Sequence, residues 1–582
     1  MIELFETTDE YDRRLALTAT RMLRAFNAAR VLTAADAHVA RRVGELAGED
    51  DERVLLALAL ATRAVRNGST CLDLATVADV APELPWPAYD GWVTAVTSSP
   101  LVTTGVLRWE FDLLYLDRYR SQEVQVCADL LARINMPPPA VDSEVLDAGV
   151  RRVFGGPTYA EQRAASRQAA TQLTTVLTGG PGTGKTTTVA GLLALLIEQA
   201  SLADDTLRIA LTAPTGKAAA RLQEAVASAA AELPTEDRDR LGDLQASTLH
   251  RLLGPRRENK TRFRHHRANR LPHDVVVVDE TSMVSLTMMA RLVEAVRPDA
   301  RLILVGDPGQ LASVEAGAVL SDLVAGFEAR ADSPVSALKT THRFGAEIGE
   351  LAAALHAGHA DEVMTVLRAG SAEVEFVESG DPASVLQSEI VDAALAVRAC
   401  AEVGDITGAL GAIERHRLLC AHREGPYGVR HWNRQVEHWL TEATGDQFYN
   451  EMYVGRPLLV TSNDYGLGIY NGDSGVVVRQ DDGQLRAAIA GSAGPLIFAT
   501  TRMSNVDTMH ALTIHKSQGS QADHVTVLLP PEDSRLLTRE VFYTAVTRAK
   551  LTVRVVGSEA AVRAAVTRRA QRASGLRQRL GA

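Results

Sequence analysis

A glycine-rich loop between a β-branched run and an apolar helical stretch constrains this chain more than any other segment. Residues 179–186 read GGPGTGKT, with a strand-like run at 175–177 before them and a predicted helix over 187–197 after them. In this order, glycine N–H groups can wrap phosphate oxygens at the helix N-terminus. The Lys185 ammonium can reach the β- and γ-phosphates, and the Thr186 hydroxyl can bind Mg²⁺. The segment predicts a nucleoside triphosphate site formed by Gly179, Gly180, Pro181, Gly182, Thr183, Gly184, Lys185, Thr186 and Thr187.

Polar residues also follow two further strand-like runs. Four valines at 275–278 end in Asp279 and Glu280, and Gln310 lies shortly after the run at 302–305. Adjacent side chains at a strand end point in different directions, so Asp279 can hold Mg²⁺ while Glu280 polarises the attacking water. Gln310 can reach the γ-phosphate side of the site and sense its loss. We therefore expect catalytic roles for Lys185, Glu280 and Gln310.

Alternating strand-like and helical segments predict an α/β fold for most of the chain, with a parallel sheet and its site at the carboxyl ends of the strands. Residues 1–135 are rich in Ala and Leu at helical spacing and predict a helical N-terminal domain, followed by a proline-rich linker at 136–142. A first α/β domain is expected at 143–330 and a second at 331–582. Short strand-like runs between Gly-rich turns predict a small β-barrel inserted at about 455–505.

Composition excludes several classes of protein. The 582 residues carry a net charge of −11, from 61 basic and 72 acidic residues, so any nucleic-acid site must be a local basic groove. The 4 cysteines lack the spacing of a zinc or iron–sulfur site. The longest apolar stretch, residues 54–61, is too short to cross a membrane, and no secretory signal is readable at the acidic N-terminus. We therefore expect a cytoplasmic protein without a membrane partner.

Several ordered motifs resemble those of superfamily 1 helicases. They are APTGKAA at 213–219, DETSM at 279–283, GDPGQL at 306–311 and VFYTAVTRA at 541–549. Within that superfamily, the segments 310–320, 471–473 and 514–520 and the N-terminal residues 100–119 resemble the RecD subunits of bacterial RecBCD complexes (exodeoxyribonuclease V). The similarity extends from about residue 100 to about residue 557. It implies two RecA-like P-loop motor domains.

The resemblance also implies roles for individual residues. Gln162 matches a glutamine that contacts adenine, and Arg343 and Arg548 match two catalytic arginines that the second motor domain directs at the γ-phosphate of ATP. An arginine in such a position offsets charge on the transferred phosphoryl group. The positions that match nucleic-acid contacts are Pro214, Thr215, Lys217, Thr248, His250, Thr513, His515 and Lys516.

At the level of the whole protein, the resemblance implies an ATP- and Mg²⁺-dependent DNA helicase that travels 5′→3′ on a single strand and acts at duplex ends. It implies assembly with RecB-like and RecC-like subunits into a heterotrimer, through the N-terminal domain, in double-strand break repair and recombination. Nothing in composition or spacing gives the direction of travel, DNA over RNA, or those partners.

Alternative interpretations remain at two levels. The basic insertion at about 254–272, with 7 Lys or Arg residues between positions 256 and 270, is either a protrusion held against the duplex junction or a solvated charge run. The whole chain could be an RNA helicase of the same superfamily. It could also be a binding module in which ATP acts only as a conformational switch, although a switch needs no hydrolytic residues.

Overall fold

Two parallel sheets, each covered by helices, form the centre of the computed structural model of this chain. The structure describes residues 12, 14–256, 259–328, 330–340, 346–447, 451–464, 466–491, 494–570 and 572–581. Arg343, predicted to be catalytic, and Arg257 of the basic insertion lie outside the described residues. The predicted α/β architecture with parallel sheets is confirmed.

The N-terminal unit, residues 14–116, combines helices with a small antiparallel sheet in the order β1-β3-β2. Its helix α3 is buried on almost every side, because all eight side chains from Val54 to Ala61 are apolar and lie in the core of this unit. The elements are α1 Arg21–Ala28, α2 Ala34–Ala47, α3 Glu52–Arg66, β1 Cys71–Asp73, α4 Tyr89–Thr97, α5 Pro100–Thr103, β2 Leu107–Glu110 and β3 Leu113–Leu116.

The next helix, α6 (Asp117–Ile134), packs into a different core from the rest of the predicted N-terminal domain. Its buried residues Val126 and Leu130 join the core of the first parallel sheet. The Arg133 guanidinium donates hydrogen bonds to the carbonyl oxygens of Leu173 (3.0 Å) and Arg297 (2.6 Å). Helical periodicity identifies a buried face but not the core that covers it.

We call residues 117–340 the P-loop unit. Its six-stranded parallel sheet has the order β11-β4-β10-β9-β5-β6 and therefore extends past residue 330. The four valines of β9 are fully buried, as expected for a parallel strand covered on both faces. The further elements are α7 Ser143–Val153, α8 Ala160–Ala170, β4 Thr174–Gly179, α9 Lys185–Ser201, β5 Ile209–Ala213, α10 Gly216–Ala231, α11 Thr235–Leu241, β6 Ala246–Thr248, α12 Leu249–Leu253, β7 Pro255–Arg256, β8 Asn259–Phe263, β9 Val275–Val278, α13 Leu286–Ala295, β10 Arg301–Gly306, α14 Val319–Phe327 and β11 Val335–Leu338.

We call residues 346–570 the second parallel unit. Its five-stranded parallel sheet has the order β12-β21-β20-β13-β19. The helices and strands, with the C-terminal helix α22, are α15 Ala346–Ala357, α16 Ala360–Ala369, β12 Val374–Val377, α17 Pro382–Glu402, α18 Ile406–Arg415, β13 His416–Cys420, α19 Val429–Thr444, β14 Pro457–Val460, β15 Ser474–Arg479, β16 Leu485–Ile489, β17 Leu496–Ala499, β18 Val506–Thr508, β19 Ala511–Thr513, β20 Ala522–Leu528, α20 Arg539–Val546, β21 Ala549–Val556, α21 Glu559–Thr567 and α22 Leu576–Gly581.

The predicted β-barrel is replaced by an open five-stranded antiparallel sheet, which we call the insertion sheet, in the order β17-β16-β15-β14-β18. In the described part of the chain the two edge strands, β17 and β18, do not pair with each other. Alternate residues explain this outcome: Val476 and Val478 pack into the core of the second parallel unit, while Val477 packs into a separate core on the other face. One face is therefore covered by the core around the parallel sheet and not by closure of the antiparallel sheet.

The C-terminal tail, residues 572–581, returns to the P-loop unit and the N-terminal unit. Leu576 and Leu580 of α22 pack in the core of the P-loop unit. The Arg579 guanidinium pairs with both carboxylate oxygens of Glu110, at 2.7 Å each. The buried Glu123 carboxylate accepts hydrogen bonds from the Thr70 hydroxyl (2.6 Å) and from tail atoms, including the Gly575 N–H (3.2 Å). Among the described helices, none combines the length and apolarity that a membrane span requires.

Candidate nucleotide-binding site and strand contacts

The glycine-rich loop joins the carboxyl end of β4 to the first residue of α9, Lys185. Gly182 and Gly184 have φ of +80° and +82°, a left-handed conformation that favours glycine. The N–H groups of the first turn of α9 have no helical partner and are available to an anion. The Lys185 ammonium lies over the loop and donates to the carbonyl oxygens of Gly179 (2.6 Å) and Gly180 (2.8 Å). Phosphate oxygens would compete for these N–H groups and this cation.

Gln162 lies against the same loop. It is buried on α8, and its side-chain amide donates to the carbonyl oxygen of Thr183 at 3.1 Å. The Thr183 hydroxyl in turn donates to the carbonyl of Gly180 at 2.9 Å. Thr186 and Thr187 are half-buried in the first turn of α9. The structure thus brings the predicted nucleotide residues together around one loop.

Asp279 and Glu280 lie at the carboxyl end of β9, two strands from β4 in the sheet. Burial, with the neighbouring Glu280 carboxylate as a second cause, raises the pKa of the Asp279 carboxyl. Glu280 has φ +50°, a left-handed conformation that costs energy in a residue with a side chain. A partly buried pair of acids with a threonine hydroxyl is an all-oxygen donor set, which suits Mg²⁺. The residues present therefore fit the predicted cation.

Gln310 connects the two parallel units. Its side-chain amide donates to Asp307 Oδ2 at 3.2 Å, and its Oε1 accepts from the Arg548 guanidinium at 2.9 Å. Arg548 is buried, and this burial lowers its pKa. The Tyr543 hydroxyl donates to Asp307 Oδ2 at 2.9 Å. Gln310 of the P-loop unit and Arg548 of the second parallel unit, both predicted to be catalytic, are thus in direct contact.

The motif segments hold further contacts that the sequence did not assign. The Leu311 N–H donates to the Thr544 hydroxyl (2.9 Å), and the Gln518 amide donates to the Leu311 carbonyl (2.7 Å). A Cβ placed on Gly180 would lie 3.3 Å from the Tyr543 hydroxyl oxygen, so this hydroxyl is next to the glycine-rich loop. Tyr543, Thr544 and Gln518 stand inside segments quoted for the helicase resemblance, but no local pattern identifies a partner more than 200 positions away.

The predicted strand contacts of the P-loop unit follow its two outer strands. Pro214, Thr215 and Lys217 come after β5, and Thr215 caps α10 by accepting from the Ala218 N–H at 3.2 Å. Burial, assisted by nearby arginines, lowers the pKa of the Lys217 ammonium to about 8. A Cβ on Gly216 would lie 3.1 Å from the Tyr470 side chain, so the loop before β15 covers this segment.

Thr248 is the last residue of the edge strand β6, and His250 follows it. Thr513 is the last residue of the edge strand β19 of the second parallel unit, and His515 and Lys516 follow it. Thr248 accepts from the Arg251 N–H at 3.2 Å, and Thr513 accepts from the Lys516 N–H at 3.3 Å. Burial lowers the pKa of His515 to about 4. The two groups occupy equivalent edges of the two sheets.

The basic insertion forms the hairpin β7–β8, of which Arg256 and Arg262 are exposed. Two of its other cations have structural contacts. Arg267 pairs with Asp129 of α6 at 2.7 Å, and Arg270 donates to the Val296 carbonyl at 2.6 Å. The hairpin is therefore fixed at its base to the P-loop unit and presents charge on its strands.

Three family models match this chain. One described as the RecBCD enzyme subunit RecD, N-terminal domain, matches residues 28–108. One described as an AAA domain matches residues 162–316, which contain the glycine-rich loop and Gln310. One described as a UvrD-like helicase C-terminal domain matches residues 508–556, which contain Arg548.

The RecBCD enzyme subunit RecD of Mycobacterium tuberculosis is 60% identical over 575 residues, which cover 98% of each chain. The same subunit of Mycolicibacterium smegmatis is 60% identical and covers 96% of this chain and 99% of the relative. The ATP-dependent RecD2 DNA helicase of Deinococcus radiodurans is 31% identical, over 81% of this chain and 59% of the relative. A crystal structure of Bacteroides Pif1 bound to ssDNA has 17% identity and a TM-score of 0.38, over 69% of this chain and 92% of that one, a similarity too weak to carry an argument. Because the chain is 60% identical to the mycobacterial subunits over nearly its whole length, it belongs to the family of RecD subunits of the RecBCD enzyme.

Proposed function

We propose that this chain is an ATP-dependent 5′→3′ DNA helicase subunit, whose two parallel units hydrolyse ATP between them and move along a single strand. The observation that supports this most directly is the contact of Arg548 with Gln310, at 2.9 Å, beside the glycine-rich loop. Both residues are buried, so a change at the γ-phosphate would be felt by the second parallel unit through a rigid contact.

The chain's own residues have distinct tasks in this proposal. The N–H groups of the glycine-rich loop and the Lys185 ammonium bind the triphosphate of the substrate, and Gln162 positions the adenine end. Thr186 and Asp279 would hold Mg²⁺, which supplies positive charge to the phosphoryl oxygens. Glu280 orients and polarises the attacking water. Arg548 and Arg343 offset the charge that develops on the transferred group.

Hydrolysis is coupled to movement through the two edge strands. Pro214, Thr215, Lys217, Thr248 and His250 belong to the P-loop unit, while Thr513, His515 and Lys516 belong to the second parallel unit. A strand held at both edges would be advanced when the spacing of the units changes. Hydroxyls, cations and imidazoles suit contacts with phosphates and bases without sequence preference.

Family membership supports the rest of the proposal. The chain would assemble with RecB-like and RecC-like subunits into an exodeoxyribonuclease V complex that processes duplex ends in double-strand break repair and recombination. The N-terminal unit would face these partners, and the basic hairpin would contact the duplex junction. Chromosomal DNA as substrate would place the complex in the cytoplasm.

The test is unwinding of duplexes that carry only a 5′ or only a 3′ single-stranded tail, by the purified chain alone and with its RecB-like and RecC-like subunits. ATP-dependent opening of the 5′-tailed duplex, with the Lys185→Gln chain inactive, is the expected result. Strand-stimulated ATPase without unwinding in every combination would instead favour an ATP-driven switch. A matched RNA-tailed duplex opened equally well would contradict DNA specificity.

A further inference from the structure

We propose that Arg572 of the C-terminal tail is a positioning residue of the hydrolytic site, which acts by holding the segment that carries Gln310. We call residues 310–317 the sensor segment. This inference rests on the proposed function and extends it, because the contacts of the tail described above are structural. It is carried by the contacts that the sensor segment makes with the two parallel units, the N-terminal unit and the tail.

The first two residues of the sensor segment contact the second parallel unit. Gln310 Oε1 accepts from the Arg548 guanidinium at 2.9 Å. The Leu311 N–H donates to the Thr544 hydroxyl at 2.9 Å, and the Leu311 carbonyl accepts from the Gln518 side-chain amide at 2.7 Å. All of these contacts cross between the two parallel units, so a change in the spacing of the units would break them.

The rest of the sensor segment packs against the turn that follows the two acids of the P-loop unit. The Ser313 N–H donates to the carbonyl of Ser282, which follows Glu280 closely in the chain, at 3.0 Å. The Ala316 carbonyl accepts from the Leu286 N–H at 3.0 Å. These contacts connect the backbone of the sensor segment to the backbone that carries the acids. A displacement of one is therefore transmitted to the other.

Arg572 holds the same part of the sensor segment from the tail. Its guanidinium donates to the carbonyl oxygen of Ser313 and, at 3.3 Å, to that of Glu315. The side chain is half-buried, and this burial lowers the pKa of the guanidinium. Hydrogen bonds from a charged donor are roughly twice as strong as neutral ones. The tail therefore fixes two carbonyl groups that follow Gln310 closely in the chain.

A turn of the N-terminal unit, residues 67–70, contacts both Arg572 and the sensor segment. Gly68 in this turn has φ +91°, a conformation that favours glycine, and a Cβ placed on it would lie 2.9 Å from the guanidinium carbon of Arg572. The Gly68 carbonyl accepts from the Gly317 N–H at 2.9 Å. The guanidinium thus contacts the turn and the sensor segment at once, in a space that a side chain at position 68 would reduce.

Contacts on both sides of Arg572 fix its place in the chain. On one side, the Ala570 N–H donates to the Glu540 carboxylate of α20 at 2.8 Å. On the other side, the Ala573 carbonyl accepts from the Thr70 N–H of the N-terminal unit at 2.9 Å. The helix α22 that follows packs into the core of the P-loop unit. The guanidinium is therefore presented to the sensor segment from a fixed backbone.

The contacts of the sensor segment therefore form two sets. Those of residues 310–311 are made with the second parallel unit and are lost when the units move apart in the proposed cycle. Those of residues 313–317 are made with the P-loop unit, Arg572 and the N-terminal unit, and they do not reach the second parallel sheet. Arg572 thus keeps Gln310 oriented for the next nucleotide while the contact of Gln310 with Arg548 is open.

The test is strand-stimulated ATPase of the full-length chain, with an oligothymidylate at saturation and the ATP concentration varied. Arg572→Ala should lower kcat roughly 10-fold and leave KM for ATP within about 2-fold, because the lost donor orients Gln310 and does not bind nucleotide. Arg572→Lys keeps a charged donor and should recover part of kcat. Arg572→Gln keeps most of the bulk without the charge. It should lower kcat as Arg572→Ala does, and it replaces the alanine chain if that chain does not fold.

Arg577→Ala is the matched control, because Arg577 belongs to the same tail but is exposed on α22. It removes the same charge and should hydrolyse ATP as the parent chain does. The Gln310→Ala chain tests the route of the effect. Since Arg572 acts through Gln310, adding Arg572→Ala to that chain should lower kcat by less than about 2-fold further.

Unchanged kcat in Arg572→Ala or Arg572→Gln would overturn the inference, as would an equal loss in Arg577→Ala. An equally large further loss in the Gln310→Ala chain would also overturn it, because Arg572 would then act by another route. So would a change confined to the strand concentration that gives half the maximal rate, because Arg572 would then contact the strand. The proposed function fails separately: a parent chain that hydrolyses ATP without unwinding would leave the dependence of kcat on Arg572 intact.

Discussion

The two parallel units carry similar residues at the carboxyl end of one edge strand, but they differ in the residues that follow their other strands. At the outer edges, β6 and β19 each carry a threonine that caps the next turn and a histidine two positions later. After β4 and β9, the P-loop unit has a glycine-rich loop with a lysine and a pair of acids. The second parallel unit instead contributes Arg548 and Tyr543. In the proposed function, the strand contacts are therefore duplicated, while one nucleotide site is bound by the P-loop unit and completed by the second parallel unit.

The largest effect on activity should come from a change in the glycine-rich loop, which only the P-loop unit contains. Lys185→Gln removes the ammonium that spans the glycine-rich loop, and we expect ATP hydrolysis to fall by about 10³-fold or more. Strand affinity should change little, because Lys185 follows β4, which is three strands away from β5 in the sheet. Steady-state ATPase and oligonucleotide binding measure the two effects.

Lys550→Gln is a suitable control for this change, since Lys550 is partly exposed on β21 and pairs loosely with Asp523 at 3.5 Å. Its ATPase should match that of the parent chain. Substantial hydrolysis by Lys185→Gln would contradict the assignment of the nucleotide site to the P-loop unit.

Tyr543→Phe should have the next largest effect. The hydroxyl donates to Asp307, which also accepts from Gln310, so its loss removes one support of the contact between the units. Losing a hydrogen bond to a buried carboxylate costs about 1.5–3 kcal/mol, and we expect kcat for strand-stimulated ATPase to fall roughly 10- to 100-fold with KM for ATP little changed. A rise in KM alone would place Tyr543 in nucleotide binding instead.

Matched substitutions after the edge strands β6 and β19 test whether both units contact the strand in the same way. His250→Ala and His515→Ala should each weaken strand affinity by roughly 5–10-fold, as the loss of one stacking contact does. If the edges are equivalent, the two losses should be similar and the double change should be close to their sum in free energy. A loss confined to one histidine would show that only one edge holds the strand.

A last prediction concerns stability and not activity, at the C-terminal tail that joins the end of the second parallel unit to the P-loop unit. Burial raises the pKa of Asp322, on α14, to about 7, and α14 packs against the tail helix α22. The folded chain therefore binds more protons than the unfolded chain between about pH 4 and pH 7, and the free energy of unfolding should fall as pH rises through this window. The slope is up to about 1.4 kcal/mol per pH unit.

Asp322→Asn should remove this slope, which urea unfolding at pH 5, 6, 7 and 8 would detect. Relative to the parent chain, the variant should gain most at pH 8, where the parent carboxylate is charged and buried. An identical pH dependence in both chains would show that the tail does not bury an acidic group.

Local patterns predicted the strands and the loop around the candidate nucleotide site. The loop GGPGTGKT and the valine run before Asp279 can be recognised from a few consecutive residues. The structure has a loop at the first position and a buried strand at the second. The prediction of a barrel was wrong because the residues at 474–479 indicate that both faces of the strand are buried, but not that one face packs on the core of the parallel sheet. The contact of Arg548 with Gln310 and the return of the tail to Glu123 depend on the arrangement of whole units, which no local pattern encodes.

Single-turnover ATP hydrolysis in Arg548→Lys and Arg548→Ala chains, saturated with nucleotide and strand, would show whether the two units share one hydrolytic site. Lysine keeps the charge but loses the planar fork that reaches Gln310. We expect the rate to fall by about 10³-fold in the alanine chain and to recover in part in the lysine chain, with nucleotide affinity nearly unchanged in both. Hydrolysis at the parent rate in Arg548→Ala would contradict a shared site, because the P-loop unit would then suffice alone.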